Sequence, residues 1–74
     1  MQRQDKKYLQ QVGNNLRKKR DEKGVSQQEL ADNSDIAKST IQRIETGEMN
    51  PSIITLIKIS LALKIELPEL LKLH

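Results

Sequence analysis

The sequence predicts an all-α domain, a compact bundle of five short helices. Three observations carry this. The stretch "VSQQEL" reads as a helix start: Ser26 is an N-cap, Glu29 completes a capping box three residues on, and Val25 and Leu30 can close a hydrophobic staple around it. Apolar residues recur at three- and four-residue steps, as in Leu9, Val12 and Leu16 or Ala37, Ile41 and Ile44. The stretch "IKISLALKI" alternates like a strand, but it has no second strand to pair with, and a lone strand is not a stable element.

Taken in order, residues 1–7 read as a polar arm and residues 8–74 as a single domain. Leu9, Val12 and Leu16 mark the inner face of the first helix, and Gly24 stops it with Lys23 in the last turn. Arg20 falls on the same stripe at the next i+4 step. A charge there either snorkels to the edge or meets a buried partner. The second helix begins at Gln27 and is short, because "DNSD" follows at 32–35 and Ile36 begins the next element. Ala31 is small where two helices would cross closely. In the third, "IAKSTIQRIETGE", Ala37, Ile41 and Ile44 point one way. Ser39, Gln42, Arg43 and Thr46 point the other, with Lys38 at the flank. Thr40 and Ile41 are β-branched, so packing of the inner face has to hold this helix. A fourth helix capped by Ser52 would turn Ile53, Leu56, Ile57, Ile59 and Leu63 inward. It is apolar nearly all round, which implies burial on more than one side. "LPELLKL" makes a last helix, with Pro68 in its first turn and Leu70, Leu71 and Leu73 available for packing.

Composition narrows the function. The 74 residues make one domain, near the lower end of what folds alone. There is no cysteine for a disulfide or a thiolate metal site, which fits a reducing cytoplasm. No signal peptide and no long uncharged apolar run are present, so neither secretion nor a membrane span is expected. The one histidine is the terminal His74, with no carboxylate cluster around it, and no Gly-rich phosphate loop occurs. No enzyme, metal or cofactor is expected. Charge is uneven. From Met1 to Ile44 ten bases face six acids, a balance of +4, whereas from Glu45 to His74 three lysines face four glutamates, a balance of −1. The run Arg17–Arg20 alone would usually be a solvated helix surface. The basic half as a whole favours a polyanion, nucleic acid first.

The segment "SQQELADNSDIAKSTIQRIETGEMNPS" resembles the helix-turn-helix of the phage-repressor and Cro-type, Xre-like family. The likeness runs from about Val12 to Leu71. Gln27, Leu30 and Ala31 match that family's Q-x-x-L-A; "STIQRIETG" matches its recognition helix; Asn50, Pro51 and Ser52 match the turn that opens its fourth helix. The resemblance implies a five-helix, lambda-repressor-like domain that sets the helix beginning near Lys38 into the DNA major groove. It also implies that Arg20 pairs with Glu45 as a structural ion pair. Three departures stand out. Asp35 occupies a turn position often held by glycine, and it tolerates the left-handed conformation. Ala37 replaces the usual Ser or Thr cap, at a cost of roughly 1 kcal/mol. Glu48 replaces a Lys or Arg near phosphate.

On this resemblance the chain is a sequence-specific DNA-binding transcriptional regulator, cytoplasmic, whose partners are double-stranded DNA and a second copy of itself. Base contacts would come from Lys38, Ser39, Gln42 and Arg43, with Thr40 straddling both roles. Phosphate contacts would come from Ser26, Gln27, Arg17 and Lys18. Ile54 and Leu61, seven apart where relatives often have polar residues, would form the homodimer seam. The roles compatible with this are a stand-alone repressor, a controller of a restriction–modification operon and an antitoxin, with a toxin or the polymerase as further partner. The alternative is a protein-interaction module that keeps the fold and has lost DNA binding. Glu48 and Ala37 point that way; Lys38 and Arg43 point away from it.

Overall fold

The computed structural model describes residues 3–73. They form five helices in the order α1 (Arg3–Glu22), α2 (Gln27–Ser34), α3 (Lys38–Glu45), α4 (Ile53–Leu63) and α5 (Leu67–Leu70), and among the described residues there is no strand. Each helix sends at least one fully buried side chain to a single core: Leu16, Leu30, Ile41 and Ile44, Ile59, and Leu70. Each such Leu or Ile contributes about 1.5–3 kcal/mol relative to an exposed one, which is why a chain of this length can fold on an aliphatic core.

The polar arm expected at 1–7 needs correction. Residues 3–7 are the first turns of α1. Nothing between Arg3 and Leu9 breaks a helix, and once the apolar stripe has formed the nucleus, adding good helix formers at its end is easy. Met1, Gln2 and His74 lie outside the described residues.

The helix ends follow a common pattern. At Gly24 (φ 67°) the amide of Val25 donates to Arg20 O at 3.0 Å and that of Gly24 to Asp21 O at 3.1 Å. These are the paired bonds of a Schellman closure. The same six-to-one bond closes α2 at Asp35, α3 at Gly47 and α4 at Lys64, all at positive φ. Asp35 and Lys64 take the left-handed conformation without being glycine. At its start α2 has the full capping box: Glu29 N donates to Ser26 Oγ at 3.0 Å and Ser26 N to Glu29 Oε1 at 3.1 Å.

In α4 the inner face differs from the expected one. Leu56, Ile59, Ser60 and Leu63 are buried, while Ile53 and Ile57 are 54% and 37% exposed. The Ser52 cap fixes where the helix starts, and the i, i+3, i+4, i+7 set that then faces the core includes a serine. Ser60 is tolerated there because its hydroxyl donates to Ile57 O at 2.8 Å. Leu71 and Leu73 follow the short α5 and are also largely exposed.

α1 and α3 approach each other closely at Gly13. A Cβ on Gly13 would lie 2.8 Å from Glu45 O, 2.9 Å from Glu45 C and closer still to Ile44 O. Only a glycine lets α1 cross the end of α3 backbone against backbone. On another side of α1, Asn15 Nδ2 donates to Leu70 O and to Lys72 O, both at 2.9 Å, and Lys19 Nζ lies 3.4 Å from Glu69. These contacts hold the one-turn α5, which is far too short to be stable alone.

Candidate nucleic-acid interface

α2 and α3 are joined by a tight turn through Asp35 and share the core through Leu30, Ala31, Ile41 and Ile44. Burial fixes the phase of α3. Ile41, Ile44 and Glu45 face inward. At roughly 100° per residue, Ser39 and Arg43 lie on the opposite meridian, Lys38 and Gln42 on the flank next to Glu45, and Thr40 on the other flank. Lys38, Ser39, Gln42 and Arg43 are exposed and Thr40 is half-buried. The first of these helical turns is uncapped: Ala37 offers no side-chain acceptor.

The inner end of α3 is anchored by charge. Arg20 Nε donates to Glu45 Oε2 at 2.8 Å and Arg20 Nη2 to Glu45 Oε1 at 3.1 Å, a bidentate pair. Gln27 Nε2 adds a third bond to Glu45 Oε1 at 3.0 Å, so one carboxylate ties α1, α2 and α3 together. Arg20 Nη1 also donates to Val25 O at 2.9 Å. The two side chains are 12% and 4% exposed. The bond to Glu45 raises the Arg20 pKa against a burial effect that lowers it, so the guanidinium stays charged.

Beside this cluster an open hollow of about 380 Å³ lies between the three helices, lined by Arg17, Arg20, Gln27, Gln42, Glu45 and Thr46. Of the side chains expected at phosphate, Arg17 is there and makes no ion pair or hydrogen bond among the described residues. Lys18 is exposed but roughly 160° around α1 from Arg20, facing away from the hollow. Gln27 is at the hollow with one amide hydrogen committed to Glu45. The Ser26 oxygen is occupied by the cap, and the Glu29 carboxylate already sits at that helix start. The Ser26 hydroxyl and the Glu29 carboxylate thus serve the capping box of α2 itself. Glu48 is exposed just after α3, its amide bonded to Arg43 O at 2.9 Å.

The second face is apolar. On α4, Ile54 is 58% and Leu61 72% exposed, Ile57 lies on the same stripe away from the core, and Ile53 is exposed in the first turn. Sequence reasoning took Ile53 and Ile57 as core, and it passed over Gly13 and Asn15. A lone glycine inside a helical pattern is a recognisable sign of close packing. An asparagine on the polar side of a helix carries no such sign.

Among the described residues no cluster of His, Asp or Glu could hold a metal ion, and no helix is long and apolar enough to cross a membrane. Residues 16–70 match the helix-turn-helix family model HTH_3. An HTH-type transcriptional regulator, y4dJ, from Sinorhizobium fredii is 36% identical over 59 residues, 80% of this chain and 77% of the relative. The crystal structure of the restriction-modification controller protein C.AhdI from Aeromonas hydrophila superposes with a TM-score of 0.82 at 39% identity, over 84% of this chain and 94% of the controller. An HTH_3 family transcriptional regulator from Vibrio cholerae gives 0.86 at 29% identity over 92% of this chain and 38% of that longer one. The clp gene regulator ClgR from C. glutamicum gives 0.84 at 28% identity over 88% and 83%.

Proposed function

The chain belongs to the HTH_3 family of helix-turn-helix, DNA-binding transcriptional regulators, which are not enzymes, and from that premise we propose that it is a cytoplasmic regulator that reads a palindromic operator as a homodimer. The observation that carries this is the outward face of α3. Lys38, Ser39, Gln42 and Arg43 are exposed, carry no acid among them, and make no side-chain hydrogen bond or ion pair among the described residues. They are polar donors free to meet another molecule. Arg43 and Ser39 occupy the outermost line, where a guanidinium can donate twice to the O6 and N7 of a guanine. Thr40 and Lys38 flank them at the helix start, and Arg17 and Gln27 supply backbone contacts, with Lys18, on the far side of α1, adding only long-range charge.

The homodimer rests on the α4 stripe of Ile54, Ile57 and Leu61. Its i, i+3, i+7 spacing is that of a helix packed against another helix, and an exposed apolar line of this kind marks an interaction surface. A two-fold pair would set half-site centres about 34–36 Å apart. Among regulators of this class, the match over 94% of the controller C.AhdI favours a restriction–modification controller. A methyltransferase gene beside this one would support that role; a toxin gene would transfer the chain to the antitoxins.

Selection of bound sites from random DNA tests the reading. The expected product is an inverted repeat, bound with log K falling linearly against log salt at about −0.9 per neutralised phosphate. Arg43→Ala should relax the preference at one base pair in each half-site, at about 1–3 kcal/mol. A chain that enriches no sequence and shows a flat salt dependence is a protein-interaction module instead.

A further inference from the structure

We propose that Gln42 reads no base: with Arg17 it holds one backbone phosphate in the hollow between α1, α2 and α3. This rests on the DNA-binding reading given above. Gln42 lies about 60° around α3 from Glu45 and about 100° from Arg43, so it leans toward the hollow, which it lines with Arg17 and Gln27. To grip an adenine edge with both amide atoms it would have to stand on the groove-facing meridian, which Ser39 and Arg43 occupy.

The charges in the hollow favour an anion. Its one carboxylate, Glu45, is 4% exposed and accepts bonds from Arg20 twice and from Gln27 once. Arg20 is spent on Glu45. Arg17 remains as the open charge, with no partner among the described residues. The Gln42 amide and the second amide hydrogen of Gln27 remain as open donors. One cation and neutral N–H donors facing a hollow suit a phosphodiester oxygen, which carries a single charge and accepts several bonds.

The test uses the intact protein and its selected operator, with every single base-pair substitution and at several salt concentrations. Gln42→Ala should weaken all sites by the same factor, about threefold to tenfold per half-site for a lost neutral hydrogen bond, and leave the base-preference profile superimposable. Arg17→Gln should also spare the profile and reduce the salt slope by about 0.9 per half-site, about 1.8 for the dimer on its operator. The double variant should lose less than the product of the two, because both donors serve one phosphate. A methylphosphonate at that phosphate should remove the effect of both substitutions together. A flattened preference at one position in Gln42→Ala, or losses that multiply, would overturn the proposal while leaving DNA binding intact. Failure of the unmodified chain to select any site would overturn the reading beneath it.

Discussion

Replacing Arg20 by alanine probes the joint that holds three helices. The Glu45 carboxylate is 4% exposed and takes two of its three bonds from Arg20. Removing the arginine leaves a buried carboxylate with Gln27 as its remaining donor, at an expected cost of about 3–5 kcal/mol. At roughly 0.05–0.15 kcal/mol per residue, the whole domain is stable by only about 4–11 kcal/mol. Arg20→Ala therefore sits near the unfolding threshold. Glu45→Ala should cost less, because Arg20 still has Val25 O and Asp21 and its side chain, 12% exposed, can reach water. Urea titration followed by far-UV circular dichroism measures both, since helix content is a direct signal and the chain has no tryptophan. In a double-mutant cycle, Arg20→Ala with Glu45→Ala should lose well under the sum of the single losses. Losses that add within about 0.3–0.5 kcal/mol would refute a shared interaction, and with it the claim that this pair anchors α3.

Three further outcomes are expected. Lys64→Gly should stabilise the domain by about 1 kcal/mol, because Lys64 sits at φ 56° where a side chain is strained; a lower urea midpoint would show that the lysine side chain contributes more than the strain costs. Ile54→Glu or Leu61→Glu should leave a folded monomer with weak operator binding, and sedimentation of the unmodified chain as a monomer, alone and on DNA, would remove the seam. Glu69 has its pKa lowered chiefly by the bond from Glu66 N and then by Lys19, so its contribution is full at neutral pH and is lost as pH falls through that lowered value. Amide signals of Leu70–Lys72 should therefore shift in acid before the core melts, and Glu69→Gln should abolish that step.

The legible parts of this fold are those written in local chemistry. The capping box at Ser26, the stop at Gly24 and the inward Ile41 and Ile44 of α3 each depend on residues within one or two turns, and the structure has them where the pattern puts them, whereas Ala37, read as part of the same inner face, is the exposed N-cap before the helix. The missed parts depend on another helix. Ile57 and Ser60 are three apart on α4, and which of them turns inward is decided by what the core can accept, which periodicity does not encode. Hydrophobicity pointed to the isoleucine. The hydrogen bond to its own backbone let the serine in. The interface divides the same way. The outward line of Ser39 and Arg43 follows from the helical period, but that Gln42 and Arg17 line one hollow is visible only once α1 has been laid across α3.

That crossing also sets how firmly α3 can hold its readers. The helix is fixed at its inner end by Glu45, bonded to α1 and α2, and by the glycine-permitted contact at Gly13. At its outer end Ala37 supplies no cap, so the first turn keeps unsatisfied amides and frays more easily. Positional precision therefore declines from Glu45 back toward Lys38. A bidentate contact to a base edge needs a rotamer locked by its surroundings, whereas a cation near phosphate works over a range of positions. Arg43, two residues from the anchored Glu45, sits where sequence discrimination is physically achievable. Lys38, on the loose turn, is suited to affinity, so on the proposed DNA-binding reading the two cations of one short helix would divide the work by their distance from a single buried carboxylate.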